Sequence, residues 1–239
     1  MRAYVGTSGW SYKEWKGPFY PEDISNDEML RYYSGRLSSV EVNNTFYRMP
    51  NPEVLAGWAE QVSSDFTFVL KASRRITHNA KLGPGAAEPL AYLFSSAEAM
   101  GPKLGPILFQ TPPWLKKDVA VLRDFLALLP EGRRGAFEFR NATWFDEEVY
   151  QALADRNAAL VAADTGEEGK DPPLRPTASW GYARLRREGY EGGLLEDWAR
   201  RLTEPSWSEL FVFFKHEDEG AGPKLAERFL ELVGGSRGA

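Results

Sequence analysis

The stretch that decides the fold is Ser38–Pro50, SSVEVNNTFYRMP. It opens with the alternation of a β-strand: Val40 and Val42 fall on one face, Glu41 and Asn43 on the other. The valines suit a face covered by helices, which sends Glu41 and Asn43 into the interior of a barrel or crevice. A carboxylate buried there is costly unless it is paired or hydrogen-bonded, so the rest of the chain must supply partners for Glu41. Asn44, Thr45, Phe46, Tyr47 and Arg48 then crowd the C-terminal end of the strand. Pro50 and Pro52 end it, and Asn51 is placed to cap the helix that follows.

Outward from this stretch the pattern recurs. Ala3–Val5 reads as a strand, followed by a Gly6–Trp10 loop and an aromatic segment that is either a binding wall or a rigid plug. Phe66–Lys71 is a strand that carries Lys71 inward at its end, and Ile107–Gln110 is another. Gly135–Arg140 puts Glu138 and Arg140 on one face, with Trp144 just beyond. Leu160–Ala163 ends in Asp164; Tyr182–Leu185 brings Arg184 and Arg186 to one face; Leu210–Phe214 ends in Lys215 and His216. Helices with apolar stripes lie between, Asp118 and Asp146 capping two of them and Pro223 opening the last. Only the polar, proline-rich stretch Gly166–Pro176 leaves little room for a helix. Strand, loop and helix taken about eight times imply a parallel sheet. Residues 1–239 are thus read as a single (β/α)8 TIM-type barrel domain, with its site at the C-terminal ends of the strands. An open, doubly wound sheet is the alternative.

Composition narrows the function classes. The chain has 239 residues, 43% of them hydrophobic and 26% charged, as in ordinary globular proteins. A net charge of −5 argues against bulk electrostatic capture of nucleic acid. With no cysteine, disulfides, thiol nucleophiles and zinc–thiolate sites are excluded. The first strand begins too early for a signal peptide, and no apolar run is long enough to span a membrane, so a cytoplasmic location is expected.

The segments GTSGWSYKEWKGPFYP, SVEVNNTFYRMP, FTFVLKASRRITH, LGPILFQTPP, FEFRNATWF and LFVFFKHEDEGAGPKLAERFLEL together resemble the YecE-like family, also called domain of unknown function 72. They run from Gly6 to Leu232, nearly the whole chain. The resemblance implies a (β/α)8 barrel related by fold to sugar isomerases and to an abasic-site endonuclease, with no established reaction. Lys215-His216 stands where the family often has paired asparagines, and Arg186-Arg187-Glu188-Gly189 where a histidine-glycine pair is common.

A barrel would gather its acids and bases at one rim. Glu41, Lys71, Glu138 and Asp164 are the candidate catalytic residues. Trp10, Asn43, Tyr47, His78, Gln110, Arg140, Trp144, Arg184 and Lys215 are the candidate substrate contacts. Glu41 and Lys71 are expected to pair, and an anion is expected to bind between Arg140, Arg184 and Lys71. Gly220, Gly222 and Pro223 form a weaker phosphate seat, opposed by the acidic run before it. No cofactor is expected. A divalent cation on Glu41, Glu138 and Asp164 would compete with the nearby cations, and two histidines cannot build a histidine-rich metal cluster. The expected function is acid/base chemistry on a small polar or anionic, sugar-like substrate, in an isomerase- or hydrolase-like manner. The alternatives are a non-catalytic ligand-binding barrel and a nucleic-acid-binding or repair-related module using basic loops and exposed aromatics. No membrane partner is expected, and oligomeric state is open.

Overall fold

The computed structural model describes residues 1–166, 171–216 and 218–234. The strands are β1 (Arg2–Ser8), β2 (Ser39–Val42), β3 (Thr67–Lys71), β4 (Leu104–Gln110), β5 (Gly135–Glu138), β6 (Ala159–Leu160), β7 (Ala162–Asp164), β8 (Trp180–Leu185) and β9 (Glu209–Phe214). The helices are α1 (Met29–Ser34), α2 (Asn44–Tyr47), α3 (Pro52–Glu60), α4 (Ala87–Ala97), α5 (Val119–Ala127), α6 (Glu147–Ala154), α7 (Leu194–Thr203) and α8 (Ala221–Leu232). All strand pairs are parallel, in the order β6-β5-β4-β3-β2-β1-β9-β8-β7.

Val161 alone separates β6 from β7, and its amide donates to the Phe137 carbonyl at 2.9 Å. The two pieces therefore act as one stave, paired with β5 at its start and with β8 at its end. Eight staves complete a TIM-type barrel, and the open-sheet alternative falls. Seven staves are followed by a helix; after β7 there is none among the described residues.

Strand parity sorts the core as the alternation predicts. Val40, Val42, Phe68, Leu70, Phe109 and Phe137 pack outward under the helices, whereas Val69, Leu108, Val161, Phe211 and Phe213 fill the barrel interior. Three expected caps form: Asn51, Asp118 and Asp146 accept from the amides of Glu53, Val121 and Glu148.

The structure corrects several boundaries. β1 continues through Gly6, Thr7 and Ser8, where a loop is expected, because its far end pairs with β2 (Gly6 with Ser39, Ser8 with Glu41). β5 stops at Glu138, which leaves Arg140 outside the strand and exposed. The aromatic segment is a plug: Trp15, Phe19 and Tyr20 are buried and pack with one another and against Tyr32 and Tyr33. That plug also packs against the glycines of the expected phosphate seat at the start of α8. A Cβ on Gly220 would meet Pro18 at 3.1 Å, and one on Gly222 the His216 carbonyl at 2.8 Å.

Gly6 permits the approach of β1 to β2. A Cβ there would lie far inside contact distance of the Ser39 carbonyl oxygen and 2.8 Å from the Tyr33 hydroxyl. That hydroxyl also receives the Thr7 amide at 2.8 Å and donates to the Ser39 carbonyl at 2.9 Å. Gly6→Ala is expected to cost about 1–3 kcal/mol, the usual range for overpacking, and more if the two strands part. A thermal unfolding midpoint unchanged from that of the parent chain would contradict this account.

Candidate functional site

Glu41 leaves β2 inward and is fully buried. Its Oε1 accepts from Ser8 Oγ of β1 at 2.8 Å and from Arg184 Nη2 of β8 at 2.8 Å, and its Oε2 accepts from the Tyr182 hydroxyl at 2.6 Å. Arg184 Nη1 reaches the other way, to Glu138 Oε2 of β5 at 2.6 Å. Gln110 of β4 donates to the same oxygen at 2.9 Å and accepts from Lys71 Nζ of β3 at 2.9 Å. One hydrogen-bonded layer thus crosses the barrel above its apolar interior, from Tyr182 and Ser8 to Lys71. The barrel supplies both charges and partners, so each carboxylate is buried with compensation.

Above this layer lies the mouth. Lys71 also sits over the Phe46 ring, 4.6 Å from its centroid. Arg186 Nη2 is 3.4 Å from Glu138 Oε1. His78, on the π-helical turn Arg75–Asn79, has Nδ1 2.9 Å from Thr77 Oγ1 and its ring edge-on to Phe46. A cleft of about 200 Å³ opens between Glu138, Arg140 and Arg186 over the end of β7.

Residues 4–239 match the family model described as "Protein of unknown function DUF72". The chain belongs to the DUF72 family. It is 23% identical to the UPF0759 protein YunF of Bacillus subtilis, over 96% of this chain and 94% of that protein. It is 27% identical to the UPF0759 protein YecE of Escherichia coli, over 68% of this chain and 59% of that protein. Among solved structures it is similar to a DUF72 family protein of Thermotoga maritima, with TM-score 0.79, 24% identity and coverage of 98% and 100%. It is also similar to a xylose isomerase-like TIM barrel/4-hydroxyphenylpyruvate dioxygenase fusion protein, with TM-score 0.50, 12% identity and coverage of 97% and 41%. At these identities the structural likeness concerns the fold alone.

In this DUF72 chain the expected Glu41–Lys71 pair does not form. Glu41 is in register with Val69, so Lys71 lies two residues further along β3, about 6.6 Å away along the strand. Arg184 takes the place of Lys71, because its length spans the barrel. Arg184 is in turn withdrawn from anion binding: it is buried between two carboxylates, and it is Arg186 that shares a cleft with Arg140. Asp164 follows Ala162 onto the outward face of β7, where it accepts from the Gly166 amide and from Arg187 Nε. The three carboxylates considered for a cation therefore do not converge.

Trp144 is 1% exposed, stacked on Phe139 at 4.4 Å and bonded to the Leu115 carbonyl, which makes it a packing residue rather than a substrate contact. Trp10 is half-buried against Trp58. Tyr47 is 76% exposed on the outer rim, and Lys215 is exposed at the end of β9. Asn43 is half-buried, with an Oδ1 that has no hydrogen-bond partner among the described residues. Sequence reasoning missed Ser8 and Tyr182 in the layer. Tyr182 was accessible through parity with Arg184, whereas Ser8 was hidden by reading its segment as a loop.

The charges set the protonation states. Burial pushes the Glu138 carboxyl up, but Arg184 and Arg186, with hydrogen bonds from Arg184 and Gln110, outweigh it and hold the pKa at about 2. Burial, then Arg184, brings the Lys71 ammonium down to about 8, although Glu41 and Glu138 oppose them. Burial, then Lys71, Arg74 and Arg140, lowers His78. Burial and the Glu41 charge push the Tyr182 hydroxyl far up, so it remains a donor.

A consequence for acid stability follows from the depressed Glu138 pKa. The stability it contributes is complete above the unfolded carboxylate value of about 4.3 and is lost as pH falls through about 2. The urea midpoint should therefore drop across that window, and drop less steeply in Glu138→Gln. Parallel pH curves for the two proteins would contradict this.

Proposed function

We propose that this DUF72 protein is an enzyme that moves a proton on a small anionic, sugar-like substrate held at the strand-end mouth, with Lys71 as the proton-transfer group. The observation that carries this reading is Lys71 itself. It lies at the C-terminal end of β3, with its pKa brought down to about 8, near the operating pH favoured for a general acid or base. At neutral pH a useful fraction of the amine is then unprotonated. Gln110 fixes the nitrogen without supplying a counter-charge. His78, lowered by burial and then by Lys71, Arg74 and Arg140, is an uncharged neighbour able to relay a proton.

The electrostatics favour an anion. Lys71, Arg184 and Arg186 face Glu41 and Glu138, and Arg74, Arg140 and Lys215 add positive charge within reach of Lys71 and His78. The mouth is therefore locally cationic in a chain of net charge −5, which suits capture of a small anion more than of a polyanion.

The test is solvent exchange. Sugar phosphates and sugar acids incubated with the protein in D2O should show carbon-bound hydrogen replaced by deuterium in NMR spectra. The rate should rise with pH through about 8 as Lys71 becomes the free amine. Absence of exchange across such a panel, or a rate flat between pH 6 and 9, would overturn the reading; this range brackets the value by about one to two units.

A further inference from the structure

We propose that the cleft between Glu138, Arg140 and Arg186 seats a compact ligand with a hydroxyl beside an anionic group, as in a hydroxylated carboxylate or phosphate ester. The inference rests on the reading of the mouth as a small-anion site and gives that substrate its chemical class.

Glu138 uses its two oxygens unequally. Among the described residues, Oε2 receives both hydrogen bonds, from Arg184 and Gln110, while Oε1 is buried with no hydrogen bond and only the ionic contact to Arg186 at 3.4 Å. The carboxyl as a whole is 3% exposed and lines the cleft. Buried carboxylate oxygens are ordinarily satisfied, so Oε1 calls for a donor. Because the group stays ionised, an anionic oxygen is repelled there and a hydroxyl is accepted.

The opposite demand sits on the same cleft. Arg186 Nε is buried without an acceptor among the described residues. Arg140 is exposed, with no side-chain hydrogen bond or ion pair among the described residues. Guanidinium groups so disposed match carboxylate or phosphate oxygens. Phe139 and Phe145 supply apolar wall for a carbon skeleton, and the volume of about 200 Å³ falls below the range for drug-sized ligands. One ligand that meets both demands carries a donor hydroxyl and an anionic group a short carbon chain apart.

The experiment compares two matched pairs by NMR titration of the full chain: lactate against propionate, and glycerol 3-phosphate against propyl phosphate. At least one hydroxylated member should bind about tenfold or more tightly than its deoxy partner, because the site is left unpaired without the hydroxyl. The pair that discriminates identifies the anion as carboxylate or phosphate. Arg186→Met and Arg140→Met should each weaken binding about tenfold, and Glu138→Gln should shrink the hydroxyl preference. Arg140 is exposed, so its variant keeps the test valid if the Glu138 variant fails to fold. Equal affinities within both pairs, no binding by any of the four, or binding indifferent to both arginine variants would overturn the proposal. Hydroxyl-selective binding without deuterium exchange would sink the proton-transfer reading and leave the cleft standing. Exchange dependent on Lys71 but equal for ligands lacking the hydroxyl would do the reverse.

Discussion

Arg184→Met is expected to lower stability toward guanidinium chloride by about 3–5 kcal/mol at neutral pH. Glu41 and Glu138 come from opposite sides of the barrel and are joined through this one guanidinium, at 2.8 Å and 2.6 Å. Methionine fills much of the volume but leaves two buried carboxylates facing each other. Without Arg184, burial should push the Glu138 carboxyl above its unfolded value, and such a group stabilises the fold only where it is protonated. The deficit should therefore shrink as pH falls from 7 toward 4, around the unfolded carboxylate range. In a cycle with Glu41→Gln, the double variant should lose less than the two single losses added. Strict additivity would show that the pair carries no coupling. Lys71→Met serves as the contrast: Lys71 bonds neither carboxylate, and it should couple to Glu41 far more weakly.

Lys71→Met should reduce deuterium exchange by about 10²–10⁴-fold, the range ascribed to a positioned acid or base. Lys71→Arg should fail almost as badly, because a guanidinium stays protonated across the accessible range. Stability should rise with pH as activity does, over a window set by the folded and unfolded values of Lys71. Between about 8 and 10.5 the native protein binds fewer protons at Lys71 than the unfolded chain, so stability should rise with pH in that window. Lys71→Met should remove this rise. Exchange that survives in the methionine variant at its parent rate would remove Lys71 from the chemistry.

Much of this was legible in the order of residues. Period-two alternation in VEV, FVLK and FEF, together with Asn51, Asp118 and Asp146 as caps, determined a parallel barrel with Glu41, Lys71 and Glu138 turned inward. That information is local: a side chain's face follows from its neighbours two residues away. Which inward groups meet is not local. It depends on strand stagger, on reach across the barrel and on where each strand ends. Register moved Lys71 past Glu41, and the length of Arg184 joined two strands that are distant in sequence. The outward face of β7 took Asp164 away from the mouth, and the early end of β5 left Arg140 exposed beside Arg186. The sequence by itself determined the barrel and its inventory of charges. Only the tertiary structure decided the pairing, because the energy of a buried charge is set by the few groups within hydrogen-bond reach, and closure of the barrel chooses them.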